Sequence, residues 1–196
     1  RLSGAGMAAG TSARRLSALR QFFQFLFSEG VRGDDPSLGL DSPKRGRSLP
    51  KYLSETEVDA LLIAARARPG PSGKRIAALM EILYATGLRV SELVGLTLSA
   101  FGRDLKMLVV RGKGGKERLA PLTEPAVEAL ADYLDHRETF LPAGKKRSAP
   151  ESPWLFPSRA KQGHLTRARF AQILKELAFE AKIDPARVSP HVLRHS

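Results

Sequence analysis

The sequence predicts a mainly α-helical protein with one small antiparallel β-sheet, an α+β arrangement, and three observations support that reading. Apolar residues recur at three-and-four spacing behind capping residues in stretch after stretch. Only Lys106 to Leu122 reads as paired strands: two short apolar-rich runs flank the glycine-rich tip Gly112-Lys113-Gly114-Gly115-Lys116. A proline-punctuated basic stretch from Gly30 to Lys51 then separates the first helical pattern from the others, so a small helical domain precedes a larger one.

Each element has a local reason. Thr11-Ser12 can cap a helix whose buried face is Leu16, Leu19, Phe23, Leu26 and Phe27, with Arg14, Arg15 and Arg20 on other faces. One helix cannot bury that aromatic face alone, so it reads as the C-terminal part of a helical domain, residues 1–43, or, equally by pattern, as a helix that packs on the rest of this chain. The linker, 44–53, carries Lys44, Arg45 and Arg47. Ser54-Glu55-Thr56-Glu57 is a capping box that opens the second domain, 54–196, with Val58, Leu61, Leu62 and Ala65 as its first stripe.

After the loop-like Pro69-Gly70-Pro71-Ser72-Gly73, Ile76, Leu79, Met80, Leu83 and Tyr84 line one helix face. Gly87 can take the left-handed conformation that ends that helix. Val90, Leu93, Val94 and Thr97 begin another stripe, expected to run to about Leu98. Beyond the hairpin, Thr123 to Leu134 reads as a capped helix facing inward through Val127, Leu130 and Leu134. Pro142 to Pro157 reads as a loop anchored by Trp154 and Phe156, and Thr166 caps a helix with the stripe Phe170, Ile173, Leu174 and Leu177. Ser189-Pro190 then starts a last helix. The chain begins with Arg1 and stops at Ser196 one turn into that helix, so both ends read as cut.

Composition narrows the function. With 196 residues and 42% hydrophobic content, the chain can bury one good core. Thirty-two Lys and Arg against twenty Asp and Glu leave a net charge of +12, which points to a polyanionic partner, nucleic acid first. The absence of cysteine excludes disulfides, thiol catalysis and cysteine zinc sites. No apolar run approaches the roughly 20 residues that span a bilayer, so no membrane partner is expected and the cytoplasm is the default location.

Candidate chemistry lies in three places. Arg89, after Gly87, would sit in the first turn of a helix, where free N–H groups and the macrodipole favour a bound anion. Lys113 and Lys116 stand on a tip whose glycines let a backbone approach a phosphate, although the Walker spacing is not met. His191 and Arg194 share one helix face; His191 and His195 have a zinc-pair spacing, but Val192 stands where a metalloprotease needs glutamate. Arg167 and Arg169 lie in a helix's first turn, where a cation opposes the dipole unless an external anion is present.

Ala-Thr-Gly-Leu-Arg-x-Ser-Glu-Leu at 85–93, Gly-Lys-Gly-x-Lys-Glu-Arg at 112–118 and Ser-Pro-His-x-Leu-Arg-His-Ser at 189–196 occur in this order. Together they closely resemble the tyrosine recombinases, and within them the Xer-type bacterial recombinases, from about Thr11 to Ser196. The resemblance implies a helical core-binding domain and a tyrosine-recombinase catalytic domain that together clamp duplex DNA. A tyrosine attacks the scissile phosphate to give a 3′-phosphotyrosine, and neither metal nor other cofactor is required. Arg89 and Arg194 match the two phosphate-binding arginines, Lys113 the general acid and His191 the histidine that assists proton transfer. Glu92, one turn past Arg89, is expected to orient that guanidinium. DNA contacts are expected from Arg14, Arg15, Arg20, Lys44, Arg45, Arg47, Lys116, Arg167 and Arg169.

The implied partners are double-stranded DNA, a second recombinase protomer in a homo- or hetero-tetramer on paired sites, and, as a further candidate, a DNA translocase activator. The implied role is resolution of chromosome dimers at a dif-like site during cell division. The family's nucleophile lies beyond its His-x-x-Arg motif. Tyr52, Tyr84 and Tyr133 match linker, core-face and helix positions instead, so this chain is expected to bind DNA but not cut it. A phage, integron or transposon integrase would share nearly all the motifs, a type IB topoisomerase would share the chemistry, and a non-catalytic DNA-binding fragment would share the charge.

Overall fold

The structure, a computed structural model, describes residues 7–43, 52–102, 104–112, 115–141 and 152–195. It divides into two compact units, residues 1–50 and 51–196. Of the residues read as linker, 44–51 lie outside the described ones. No helix among the described residues is long and apolar enough to cross a membrane.

The first unit holds α1 (Ala9–Ser28). Its N-cap is Ala8, with no side-chain bond; Thr11 and Ser12 lie inside the first turn, where their N–H groups donate to the Ala8 carbonyl at 2.9 and 3.0 Å. The expected Thr-Ser cap is displaced: the helix already begins at Ala9, so both residues fall inside it. The expected buried face is corrected more heavily. Leu16 is buried and Phe23 and Leu26 are half-buried, but Leu19 is 39% exposed and Phe22, Phe25 and Phe27 are each more than half exposed.

The second unit is built around α3 (Gly70–Thr86). Gly73 and every residue from Ile76 to Leu83 are buried, as expected of a helix covered on nearly all sides, so its apolar surface is wider than a single stripe. Tyr84 departs from that stripe and is half exposed. Helix α2 (Glu55–Ala67) packs on α3, and its capping box forms as expected: the Glu57 N–H donates to Ser54 Oγ at 3.2 Å and the Ser54 N–H to Glu57 Oε2 at 2.8 Å.

The Pro-Gly-Pro-Ser-Gly segment proves to be the first turn of α3 instead of a loop, because Pro71 falls where no N–H partner is needed. Gly73 permits the α2–α3 corner: a Cβ there would stand 1.9 Å from the Arg68 carbonyl oxygen. Gly87, at φ +56°, ends α3 in the left-handed conformation, its N–H donating to the Leu83 carbonyl at 2.9 Å.

Helix α4 (Val90–Val94) is shorter than the sequence suggested. After Gly95 the chain turns extended, because Leu96 and Leu98 exchange main-chain bonds with Leu155 and Pro153, at 2.8 and 2.9 Å, and Thr97 bridges Trp154. Strands β1 (Met107–Arg111) and β2 (Glu117–Pro121) pair antiparallel, Arg111 opposite Glu117, and turn Leu108, Val110 and Ala120 into the core. The Leu122 N–H to Lys106 carbonyl bond, 2.9 Å, extends the pairing by one residue at the open end.

In α5 (Glu124–Leu134), Thr123 is the N-cap through its main chain alone. The buried face is Ala126, Leu130 and Tyr133, with Val127 and Leu134 half-buried, so Tyr133 is a core residue. Its ring stacks on Phe156 at 5.2 Å between centroids and its hydroxyl donates to the Leu155 carbonyl at 2.8 Å. Helix α6 (Arg167–Glu180) is capped by Thr166 and buries all four expected residues. Helix α7 (Pro190–His195) packs against α3, anchored in the core by Val188 and Leu193.

Candidate nucleic-acid and phosphate site

Arg89 is placed by the sequence on both sides of it. Gly87 reverses the chain at the end of α3, Leu88 is fully buried, and Arg89 becomes the N-cap of α4. The Glu92 carboxylate accepts the Arg89 main-chain N–H at 2.8 Å and the Arg89 Nη1 at 2.9 Å. One carboxylate thus fixes both ends of the residue. The Arg89 side chain is still 58% exposed, while that of Glu92 is 9% exposed.

Arg118, on β2, approaches the same carboxylate at 3.6 Å. Burial pushes the Glu92 pKa up, but the Arg89 N–H, the Arg89 guanidinium and the Arg118 charge outweigh it and hold the carboxyl below the usual glutamate value. Arg118 was not singled out from the sequence. The signal was there: it lies two residues from the buried Ala120, so strand alternation places both on one face.

Arg89 and Glu92 line an open cleft of about 870 Å³ whose opposite wall is the hairpin, at Arg111, Gly112 and Glu117. At the tip, the Gly112 N–H donates to the Lys116 carbonyl at 2.8 Å and Gly115 takes φ +75°, a left-handed position that suits glycine. Lys113 lies outside the described residues; Lys116, three residues further on, is exposed. His191 and Arg194 do not line the cleft. They stand on α7, which packs on the helix that Arg89 follows; His191 is exposed and Arg194 half-buried. Ser189 caps α7, its Oγ accepting the Val192 N–H at 3.3 Å.

The other expected DNA contacts divide. Arg14, Arg15 and Arg167 are exposed. Arg20 bonds back to the Leu40 carbonyl and to Ser42 Oγ, the latter at 3.0 Å, tying α1 to the segment that follows it. Arg169 pairs with Glu176 at 2.9 Å, which gives it an internal carboxylate where an external anion was expected. Lys44, Arg45 and Arg47 lie outside the described residues. Burial pushes the Tyr133 phenol far up, and none of the three tyrosines lines the cleft beside Arg89.

Fold and cleft define a class: a mostly helical basic domain with a two-stranded hairpin, presenting a carboxylate-held arginine at an open groove. The chain belongs to the phage integrase family, which it matches over residues 51–196, and residues 1–30 match that family's N-terminal SAM-like domain. It is 51% identical over 195 residues to the tyrosine recombinase XerD of Caulobacter vibrioides, covering all of this chain and 63% of that protein. Against the XerD of Rhizobium meliloti it is 50% identical over 202 residues, covering all of this chain and 62% of that protein. The crystal structure of XerA recombinase superposes with a TM-score of 0.61 at 31% identity, covering 91% of this chain and 57% of that one. XerH bound to difH substrate in a pre-cleavage complex shares the fold, with a TM-score of 0.70 at 21% identity over all of this chain and 55% of that one. The chain therefore spans a little over three-fifths of the curated relatives' length, and the Xer-type resemblance carried by its three motifs holds over the whole of it.

Proposed function

We propose that this chain is the DNA-clamping and phosphate-activating part of an Xer-type site-specific recombinase, which cuts and rejoins duplex DNA through a 3′-phosphotyrosine. The observation that carries the reading is Arg89: its main-chain N–H and one guanidinium nitrogen are both held by the half-buried Glu92 carboxylate, yet the guanidinium is open to a groove walled by the Gly112 turn. Such preorganised donors stabilise charge that develops on a phosphate, and arginine's planar fork suits two phosphate oxygens. Arg194 supplies the second fork, Lys113 protonates the departing 5′ oxygen, and His191 assists proton transfer at the attacking group. Glu92 orients Arg89. No metal takes part.

We extend the proposal, from the Xer-type resemblance of the three motifs, to a dif-like site, to chromosome-dimer resolution in dividing cells, and to a tetramer of protomers on two paired sites, with a translocase as activator. The domains are a core-binding part at 1–43, a basic linker at 44–53 that follows the DNA backbone, and a catalytic part from 54 onward.

The attacking group is not among the three tyrosines of these 196 residues. Tyr133 is fully buried with its hydroxyl engaged, and the half-exposed Tyr84 lines a different groove, with Asp59, Ile63 and Arg66. Tyr52 is exposed, near the end of the linker. The 196-residue chain should then bind duplex and leave it uncut. The test incubates this chain, and a version spanning the relatives' full length, with a nicked suicide duplex carrying the target site, and looks for a covalent adduct on a denaturing gel. Adduct from the longer version alone supports the proposal; adduct from the short chain places the nucleophile within it, and none from either overturns recombination. In the longer version Arg89→Lys should lose most cleavage and keep duplex binding, since one such donor is worth about 3 to 4 kcal/mol at the transition state.

A further inference from the structure

Helix α7 carries two of the proposed catalytic groups but spans only Pro190–His195. So short a helix does not hold its own place, because nucleation costs more than a turn or two returns. Its apolar anchors, Val188 and Leu193, fix how deep it sits. Hydrophobic contact is non-directional, however, and does not fix how the helix is turned.

A directional tie exists one step upstream. Arg187 donates from Nη1 to Glu57 Oε1 at 2.6 Å and from Nη2 to Glu57 Oε2 at 3.0 Å, a two-pronged pair across 130 residues of sequence. Its Nη2 also donates to the Tyr52 carbonyl at 3.2 Å. The receiving carboxylate is itself fixed, since Glu57 Oε2 accepts the Ser54 N–H in the capping box of α2. Arg187 therefore grips a preset point of the second unit, two residues before the cap of α7, four before His191 and seven before Arg194.

The Arg187 side chain is 44% exposed, and exposed pairs contribute little to global stability. A forked pair fixes geometry more tightly than it adds energy. We propose that Arg187 is a positioning residue: by locking the approach to α7 onto the Glu57 capping box, it sets where His191 and Arg194 stand relative to the phosphate. The proposal rests on the recombinase reading for its consequence in catalysis, and on the geometry alone for its consequence in structure.

The test separates the two. In the full-length protein, single-turnover cleavage of a nicked duplex at saturating DNA is measured beside the duplex Kd. Arg187→Ala should slow cleavage by about tenfold to a hundredfold, the cost of a misplaced catalytic group, with Kd unchanged. Arg187→Lys, which keeps the charge without the fork, should fall between Ala and wild type. Wild-type cleavage by the Ala variant overturns the proposal. If the Ala variant fails to fold, a folded Lys variant must cleave more slowly than wild type at unchanged Kd; equal cleavage overturns the proposal in that case.

In the 196-residue chain, NMR signals of the His191 ring and the Arg194 guanidinium should move on Arg187→Ala. Unmoved signals overturn the positioning whatever the cleavage assay gives. Full-length wild type that never cleaves a valid site, with those signals moved, denies the recombinase reading and leaves the positioning standing.

Discussion

Helices α1 and α6 look alike as sequence and end up differently. Both carry aromatic and aliphatic residues at helical spacing with arginines nearby. In α6 the stripe Phe170, Ile173, Leu174 and Leu177 is at most 1% exposed; in α1, Phe22, Phe25 and Phe27 are 54–57% exposed. Periodicity reports which face a helix can bury, and only tertiary structure reports what buries it. The neighbours of α6 lie within the second unit, α2 and α4 among them, whereas the described part of the first unit buries only Leu16 among the large apolar residues of α1.

That contrast can be broken most directly by truncation. Phe170→Ala should destabilise the protein by about 3 to 5 kcal/mol, as loss of a fully buried ring does. Phe25→Ala should cost under about 0.5 kcal/mol. Urea unfolding measures both; an equal cost would mean that the aromatic face of α1 is covered in solution.

Glycine gives the next largest difference, and opposite signs. Gly73→Ala drives a Cβ into the Arg68 carbonyl and should cost about 1 to 3 kcal/mol or more. Gly10→Ala, in a helical position with nothing within 4 Å, should stabilise α1 by about 0.4 to 1 kcal/mol. Thermal melts should move in opposite directions.

Tyrosine follows. Tyr133→Phe strips the Leu155 carbonyl of its donor and should cost about 1 kcal/mol, while Tyr84→Phe should stay within about 0.5 kcal/mol.

A smaller effect concerns Glu92. Because its folded pKa lies below the ordinary 4.5, it contributes stability that is full above that value and is lost as pH falls through the folded pKa. Glu92→Gln should flatten the acid limb of the stability curve there; an unchanged limb would mean that Arg89 and Arg118 do not hold the carboxylate.

Smallest in stability is the pair Arg14→Ala and Arg15→Ala on exposed α1, which should leave the melting temperature unmoved. Each lost phosphate contact should lower the slope of log affinity against log salt by about 0.9, so an unchanged slope would remove these arginines from the DNA contacts.

Much of the site was legible because it is local. The Arg89–Glu92 pair is three residues apart, Gly87 announces the turn before it, and Ser189 announces α7. What escaped depends on residues far away in the chain. The stripe that began at Val90 stops after Gly95 because Thr97 finds Trp154, and spacing alone does not show that partner. Tyr84 fits the helical period and yet turns outward, although Leu83 before it and Leu88 after it are buried, so spacing alone did not show which face lacked cover. Pro69 to Gly73 reads as a loop by composition, but proline is tolerated in a first turn and Gly73 answers to a neighbouring carbonyl. The Arg187–Glu57 tie crosses nearly the whole second unit and leaves no periodic trace.

The corner between α2 and α3 has a consequence for exchange of parts between relatives. Arg68 presents its carbonyl to Gly73 and its guanidinium to Glu180, from Nε at 2.9 Å and Nη2 at 2.8 Å, with Glu176 3.5 Å from Nη1. Glu176 is shared with Arg169 near the start of α6. A segment spanning Arg68 to Gly73 therefore transplants as one piece, and only into a host whose α6 offers carboxylates at the same heights. Swapping α6 without that corner would leave a guanidinium without its carboxylates at a joint too tight to rearrange, so a chimaeric boundary is better placed at Gly30, which keeps the corner and α6 together, than anywhere between Arg66 and Glu180.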